Sequence, residues 1–173
     1  ATMLSGETAM GKFPIDSIKV MSKISDVMIN DQFIKNKSEI SLTSQTMGMA
    51  NAVRYLSMSL PITKIIAITV SGYAARVVSS QMLPQPIIAV SNNKNIARTF
   101  NIFKGTTGVF LKTRFYKDSL KHIPICLNYL WKKKYISEKD MVLLIALGYP
   151  GSGRRMNTLQ TLYIKDLIKN FSW

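Results

Sequence analysis

A chain of 173 residues suits one ordinary domain, which clusters at roughly 100–150 residues, with a small appendage. Hydrophobic residues at 47% can fill a core, and charged residues at 18% are too few for a disordered chain. The balance of 23 Lys and Arg against 9 Asp and Glu, +14 in all, attracts phosphates, nucleic acid or acidic membranes.

Thr2 to Ser5 reads as a short strand closed by Gly6, and the opening Ala1-Thr2-Met3 reads as part of something longer. Gly11 and Pro14 announce a helix, Pro14 being suited to a first turn because its φ is already helical. Ile15, Ile18, Met21, Ile24 and Met28 recur at helical spacing and predict one apolar face ending near Asn30. The polar stretch Lys35 to Ser41 is a connector, and the domain boundary is placed between residues 38 and 39.

A second helix is predicted from Gln45 to about Met58, stopped by Pro61. Lys64 to Thr69 follows as a strand whose continuous Ile65-Ile66-Ala67-Ile68 implies cover on both faces. Ser71-Gly72 turns into a helix running to about Met82. Pro86 to Val90 is a strand, Asn93 to Phe103 a helix and Thr107 to Leu111 a strand. Pro124 to Lys134 is helical, Met141 to Leu147 is a fourth strand, Tyr149 to Asn157 is a Gly-rich loop, and Leu159 to Ile164 is a fifth strand.

Strands alternating with helices imply right-handed βαβ units on a parallel sheet. The fifth strand follows its loop too soon for a parallel crossover and should run antiparallel. The expected fold is α/β: a three-layer open sheet of four parallel strands and one antiparallel, with helices on both faces.

Several side chains invite specific readings. The basic residues are spread out, and the dense run Lys132-Lys133-Lys134 suits a helix C-terminus, where cations favour the dipole. No recognisable nucleic-acid signature accompanies it, which argues against that partner despite the charge. Cys126 is the single cysteine, so no intrachain disulfide or Cys-rich zinc site can form, and Ile125-Cys126-Leu127 suggests a buried, inert thiol. His122, the single histidine, has no carboxylate or serine arranged around it and reads as a surface or helix-start residue. No apolar stretch approaches the about 20 residues a membrane span needs. Without a secretory signal, a cytoplasmic location is expected.

Three segments carry a resemblance. Met3-Leu4-Ser5-Gly6-Glu7-Thr8-Ala9-Met10-Gly11-Lys12-Phe13-Pro14 resembles the last barrel strand and following loop of pyruvate kinases, with Met10 where the family usually has Lys or another polar residue. Thr69-Val70-Ser71-Gly72-Tyr73-Ala74-Ala75-Arg76, followed by Pro86-Ile87-Ile88-Ala89-Val90-Ser91-Asn92, resembles the start of that family's C-terminal domain. Gly148-Tyr149-Pro150-Gly151-Ser152-Gly153, continued by Asn157-Thr158, is similar to the loop before its final strand. The tail Lys165 to Trp173 runs past the usual family end.

The resemblance implies that residues 1–38 are one βα unit of a truncated TIM barrel and residues 39–173 the regulatory and assembly domain. The family transfers phosphoryl from phosphoenolpyruvate to ADP with magnesium and potassium. Its essential Lys, metal-holding Glu and Asp, and substrate-binding Arg lie on earlier barrel strands. This chain is therefore expected to have no catalytic residues, metal ligands or cofactor of its own; Glu7, in the barrel-like loop, is one carboxylate where a metal needs more.

The turn at Thr69, Ser71, Gly72 and Ala74 matches the effector-phosphate loop of regulated members. A strand-to-helix turn aims backbone N–H groups at an anion, and Thr69 and Ser71 hydroxyls can add bonds. Read from residues alone, Ser71 is better taken as an ordinary helix cap, and it is the resemblance that turns the reading toward phosphate. Ala74 stands where the family commonly has Ser or Thr, and basic residues found in some members at Val70 or Tyr73 are missing. In the second loop, Ser152 and Gly153 complete the candidate site. Arg154 and Arg155 can supply bidentate phosphate contacts or form a solvated loop tip. A sugar monophosphate, a nucleotide and a vestigial empty site all remain open. The family's tetrameric habit implies a homo-oligomer meeting through late helices and the final strand. The alternatives are a freestanding phosphometabolite sensor and a basic nucleic-acid-binding protein.

Overall fold

The computed structural model describes residues 3–30, 45–116, 119–146 and 156–171. The chain divides into two compact units, Ala1–Ser41 and Leu42–Trp173. In the first, α1 (Gly6–Ala9) and α2 (Pro14–Asn30) are helices. Met3–Ser5 form no strand, contrary to the sequence expectation. A strand is held by ladder bonds to a neighbour, and the described part of this unit holds helices alone. The start of α2 at Pro14 is as predicted, and its periodic Ile15, Ile18, Ile24 and Met28 are exposed.

The second unit begins with α3 (Gln45–Ser59) and then alternates: β1 (Lys64–Ile68), α4 (Tyr73–Ser79), β2 (Ile87–Ser91), α5 (Lys94–Thr99), β3 (Thr106–Phe110), α6 (His122–Lys132), β4 (Met141–Ala146), β5 (Thr158–Tyr163) and α7 (Ile164–Phe171). The sheet order is β3-β2-β1-β4-β5. β1 pairs parallel with β2 (Ile66↔Ile88) and β4 (Ile66↔Leu144), and β2 with β3 (Ala89↔Gly108). β5 runs antiparallel to β4, from Met141↔Tyr163 to Ala146↔Thr158. The sheet is the one expected, four parallel strands and one antiparallel.

Period-two alternation explains the continuous apolar runs. On β1, Ile65 and Ala67 enter one core, with Leu143 and Ile145 of β4 beside them; Ile66 and Ile68 enter the other, with Val142 and Leu144. The first face is covered by Val53 of α3, Ala75 and Val78 of α4, and Phe100. The second is covered by Cys126, Leu127 and Leu130 of α6 and by Ile164, Leu167 and Ile168 of α7. Each large side chain so buried contributes roughly 1.5–3 kcal/mol. The tail after β5 thus has a structural role: α7 is an amphipathic lid on the second face.

Element ends differ from the sequence expectation for local reasons. α4 stops at Ser79 rather than Met82, where the Ser79 and Ser80 hydroxyls donate to the carbonyls of Arg76 and Val77 at 2.9 and 2.7 Å. Such back-bonding competes with a continuing helix. α6 starts two residues before Pro124, which occupies the first turn, where its missing N–H leaves no bond unmade. The Lys run ends this helix as expected. Lys134 N–H donates to Trp131 and Tyr135 N–H to Leu130, both at 2.9 Å, with Lys134 at φ 60°. That is the Schellman pattern, with Lys where Gly is usual.

The N-terminal ends of β1 and β4 are pinned by buried Asp140. Its Oδ1 accepts from Thr63 Oγ1 at 2.7 Å. Its Oδ2 accepts from Lys64 Nζ at 2.8 Å, Ser137 N–H at 2.6 Å and Ser137 Oγ at 2.9 Å. Burial pushes this carboxyl up, but the bonds from Lys64, Thr63 and Ser137 outweigh it and hold its pKa at about 2.

Candidate functional site

Strand order in this sheet reverses between β1 and β4: from β1 the chain moves outward through β2 and β3, then returns to β4 on the other side. Open α/β sheets bind ligands in the crevice at the carboxyl ends of strands at such a switch point. A cavity of ≈ 370 Å³ lies there. It is bordered by Ile68 and the turn Thr69-Val70-Ser71 after β1, by Ala146 at the end of β4, by Tyr73 and Ala74 of α4, and by Phe115, Tyr116, His122 and Met156.

The turn is held from within. Thr69 is buried and its Oγ1 accepts from the Gly72 N–H at 3.1 Å. The Gly72 amide is thus engaged within the turn, although the Thr69 hydroxyl still has a proton to donate. Ser71 is exposed, and the Tyr73 N–H reaches its Oγ at 3.5 Å, the long limit of a hydrogen bond. Ser71 is therefore a weak cap with a free hydroxyl face. Gly72 sits at φ 82°, in the left-handed region, and a Cβ there would meet Phe100 Cε1 at 2.8 Å. Only glycine satisfies both conditions. Ala74 borders the cavity but is also part of the core beneath it.

The predicted residues thus separate into two sets. Thr69, Ser71 and Ala74 line the cavity and Gly72 shapes its turn. Ser152, Gly153, Arg154 and Arg155 lie outside the described residues. Ala146 and Met156, which flank the undescribed segment, both border the cavity.

Sequence reading missed the opposite wall. His122 does start a helix, but it is 2% exposed rather than on the surface. Its ring stacks on Phe115 with centroids 5.2 Å apart and 22° between planes. Its Nδ1 is buried without a hydrogen-bond partner among the described residues. Burial lowers its pKa, an effect the nearby Ser119 backbone partly opposes. Beside it, the Arg114 guanidinium lies 5.5 Å from the Tyr116 ring centroid, in cation–π range. Nothing near Phe115 or His122 in the sequence marks them as partners of Thr69; the crossover from β3 to β4 brings them there. Cys126 is buried, as expected, and burial pushes its thiol up to about 12, which keeps it inert.

Among the described residues, no three His, Cys, Asp or Glu side chains cluster to hold a metal ion, and no helix is long and apolar enough to cross a membrane.

Comparison with known proteins identifies the fold. The family model for the pyruvate kinase alpha/beta domain matches residues 47–162. Pyruvate kinase 2 of Synechocystis sp. is 24% identical over 168 residues, covering 97% of this chain and 28% of the relative. The Geobacillus stearothermophilus enzyme is 25% identical over 174 residues, 97% of this chain and 29% of its own. Pyruvate kinase 1 of Trypanosoma brucei brucei is 28% identical over 169 residues, 88% of this chain and 33% of its own. The chain thus spans about a third or less of the length of these relatives. A solved pyruvate kinase of Cryptosporidium parvum superposes with TM-score 0.66 at 24% identity, over 93% of this chain and 32% of that one, a likeness of fold. With the family model covering more than half of its length, the switch-point sheet described above belongs to the pyruvate kinase family, as its C-terminal α/β domain.

Proposed function

We propose that this chain is the effector-binding and subunit-assembly region of a pyruvate kinase, whose reaction moves a phosphoryl group from phosphoenolpyruvate to ADP. The cavity at the β1–β4 switch point carries the reading, because it joins a ligand-sized crevice to the polar turn Thr69-Val70-Ser71-Gly72. A phosphorylated metabolite would set its phosphate against the Ser71 hydroxyl and the first amides of α4, which have no intrahelical carbonyl to bond. Charge from Arg154 and Arg155, in the segment between Ala146 and Met156, would complete neutralisation.

Phosphoryl transfer belongs, in this reading, to barrel residues elsewhere in the enzyme. The described residues offer no cluster for magnesium, and no step through a metal ion is assigned to this chain. The unit containing α2 is read as the last barrel segment, its exposed Ile15, Ile18 and Ile24 meeting barrel neighbours. β5, at one edge of the sheet, supports the assembly reading, since an edge strand leaves ladder groups for a second copy.

The test is thermal unfolding of the chain with inorganic phosphate and with phosphorylated metabolites. Ligand at about 100 times its Kd should stabilise by roughly 2.7 kcal/mol and raise Tm by several degrees. Ser71→Asp should abolish the rise through charge repulsion. No stabilisation by any phosphate compound would overturn the reading. In the intact enzyme, Ser71→Asp should leave turnover with phosphoenolpyruvate and ADP in place and remove its response to the effector.

A further inference from the structure

We infer that the groove at the C-terminal end of α6 docks an acidic peptide segment of another protein. One apolar side chain of that segment sits between Trp131 and Ile136, and its carboxylates meet Lys132 and Lys134. The groove precedes β4, at the opposite end of that strand from the switch-point crevice, and the inference is independent of the phosphate reading.

The groove has a volume of ≈ 460 Å³ and is lined by Trp131, Lys132, Lys134, Ile136 and Ser137. Its walls are fixed by backbone bonds. The N–H groups of Lys133, Lys134 and Tyr135 donate to the carbonyls of Tyr129, Trp131 and Leu130 and close the helix, so the lysine side chains are not needed as caps for those carbonyls. On the far side, Ser137 donates both its N–H and its hydroxyl to Asp140. Ile136, 2% exposed, is the floor. Trp131 is half-buried and packs against the second core, and Trp is among the residues that carry most of the binding energy at protein interfaces.

Charge selects the occupant. Lys132, Lys133, Lys134 and Lys139 are exposed here beside one exposed carboxylate, Glu138, because Asp140 is committed to Lys64. Among the described residues neither Lys132 nor Lys134 is in an ion pair. Lys134 holds left-handed backbone at φ 60°, where Gly is usual, and a residue kept in such a conformation at a cost points to a use for its side chain. Lys132, Lys134 and Ser137, three of the five lining residues, are exposed. So shallow a groove suits a chain segment lying across it better than a small molecule, which a site normally encloses. One indole over an aliphatic floor seats one apolar side chain; single-stranded nucleic acid needs successive aromatic faces for its bases. A second copy of this chain would bring +14 against +14, which repels.

Fluorescence anisotropy of a labelled peptide, one leucine between two runs of glutamate, titrated at low salt with the 173-residue chain, tests this. Replacing the leucine by serine should weaken binding about fivefold or more, from the loss of a buried apolar side chain. Lys132→Gln and Lys134→Gly should each weaken it about twofold to fivefold, the second while raising Tm. Trp131→Leu should weaken it severalfold; because Trp131 also packs against the core, the two exposed lysines keep the test clear of folding defects. Lys94→Gln, the same loss of charge at an exposed position beyond the carboxyl end of β2, should leave binding unchanged. Equal losses in Lys94→Gln and Lys132→Gln would reduce the attraction to net charge and overturn the inference. So would an affinity indifferent to the leucine, undiminished binding by Lys134→Gly, or tighter binding of an oligothymidylate of equal charge. No binding of the peptide at all would also overturn it, and none of these outcomes touches the phosphate reading.

Discussion

The two ends of β1 are polar in different ways. At its N-terminal end, Asp140 receives four hydrogen bonds from Thr63, Lys64 and Ser137, so a buried charge is fully paired and holds β1 to β4. At its C-terminal end, Thr69 bonds within its own turn, Ser71 stands exposed, and His122 keeps a buried nitrogen without a partner among the described residues. Buried polar groups that are satisfied serve the fold, and those left open are where a ligand can add bonds. If the proposed phosphate site is real, stability and phosphate recognition sit at opposite ends of one strand.

Substitutions at each end should separate these roles. Asp140→Asn should have the largest effect, lowering stability by about 3 kcal/mol because it breaks a buried charged network, while phosphate binding by the remaining folded protein is unchanged. Denaturant unfolding measures the first and titration the second; a parallel loss of affinity would blur the distinction. Gly72→Ala should cost about 2–3 kcal/mol, from left-handed backbone and the close approach of Phe100. Since it also distorts the turn, it should be the one substitution to damage both properties.

Acid titration probes the first end without mutation. The Asp140 carboxyl is held at about 2, below its ordinary 3.8, so its contribution is fully present above about pH 4. As pH falls through about 2 that contribution, roughly 2 kcal/mol, should be lost. Unfolding curves of the wild type and Asp140→Asn should converge over that interval, and curves that stay parallel would show that the group is not so perturbed. Lys134→Gly should stabilise by about 0.5–1 kcal/mol, relieving a left-handed non-glycine residue. Ser71→Asp, at an exposed position, should shift stability by less than about 0.5 kcal/mol yet weaken phosphate binding more than tenfold. A large stability change there would make Ser71 a structural cap.

Much of the sheet was readable from local pattern. Ile65-Ile66-Ala67-Ile68 was recognisable as a two-faced strand because a continuous apolar run suits cover on both sides, and Met141 to Leu147 as a further strand, found at Met141–Ala146. The short span before β5 dictated its antiparallel course. Helix ends were less legible: the retreat of α4 to Ser79 depends on serine hydroxyls choosing carbonyl partners, which spacing does not reveal. The expected strand through Met3–Ser5 failed because a strand is a property of a pair. Half of the candidate site was legible for the same reason that the turn was: Thr69, Ser71 and Gly72 are adjacent in sequence and their chemistry is local.

Residue order alone was enough to establish the α/β alternation, the mixed sheet and the polar turn after β1, since each follows from periodicity, turn chemistry or the limited reach of a short connection. Tertiary structure decided which strands became neighbours and therefore what faces that turn. Phe115, Tyr116 and His122 reach Thr69 only because the chain crosses from β3 back over the sheet to β4. Such long-range placement is set by burying both sheet faces at once, a global condition that no short stretch of sequence records.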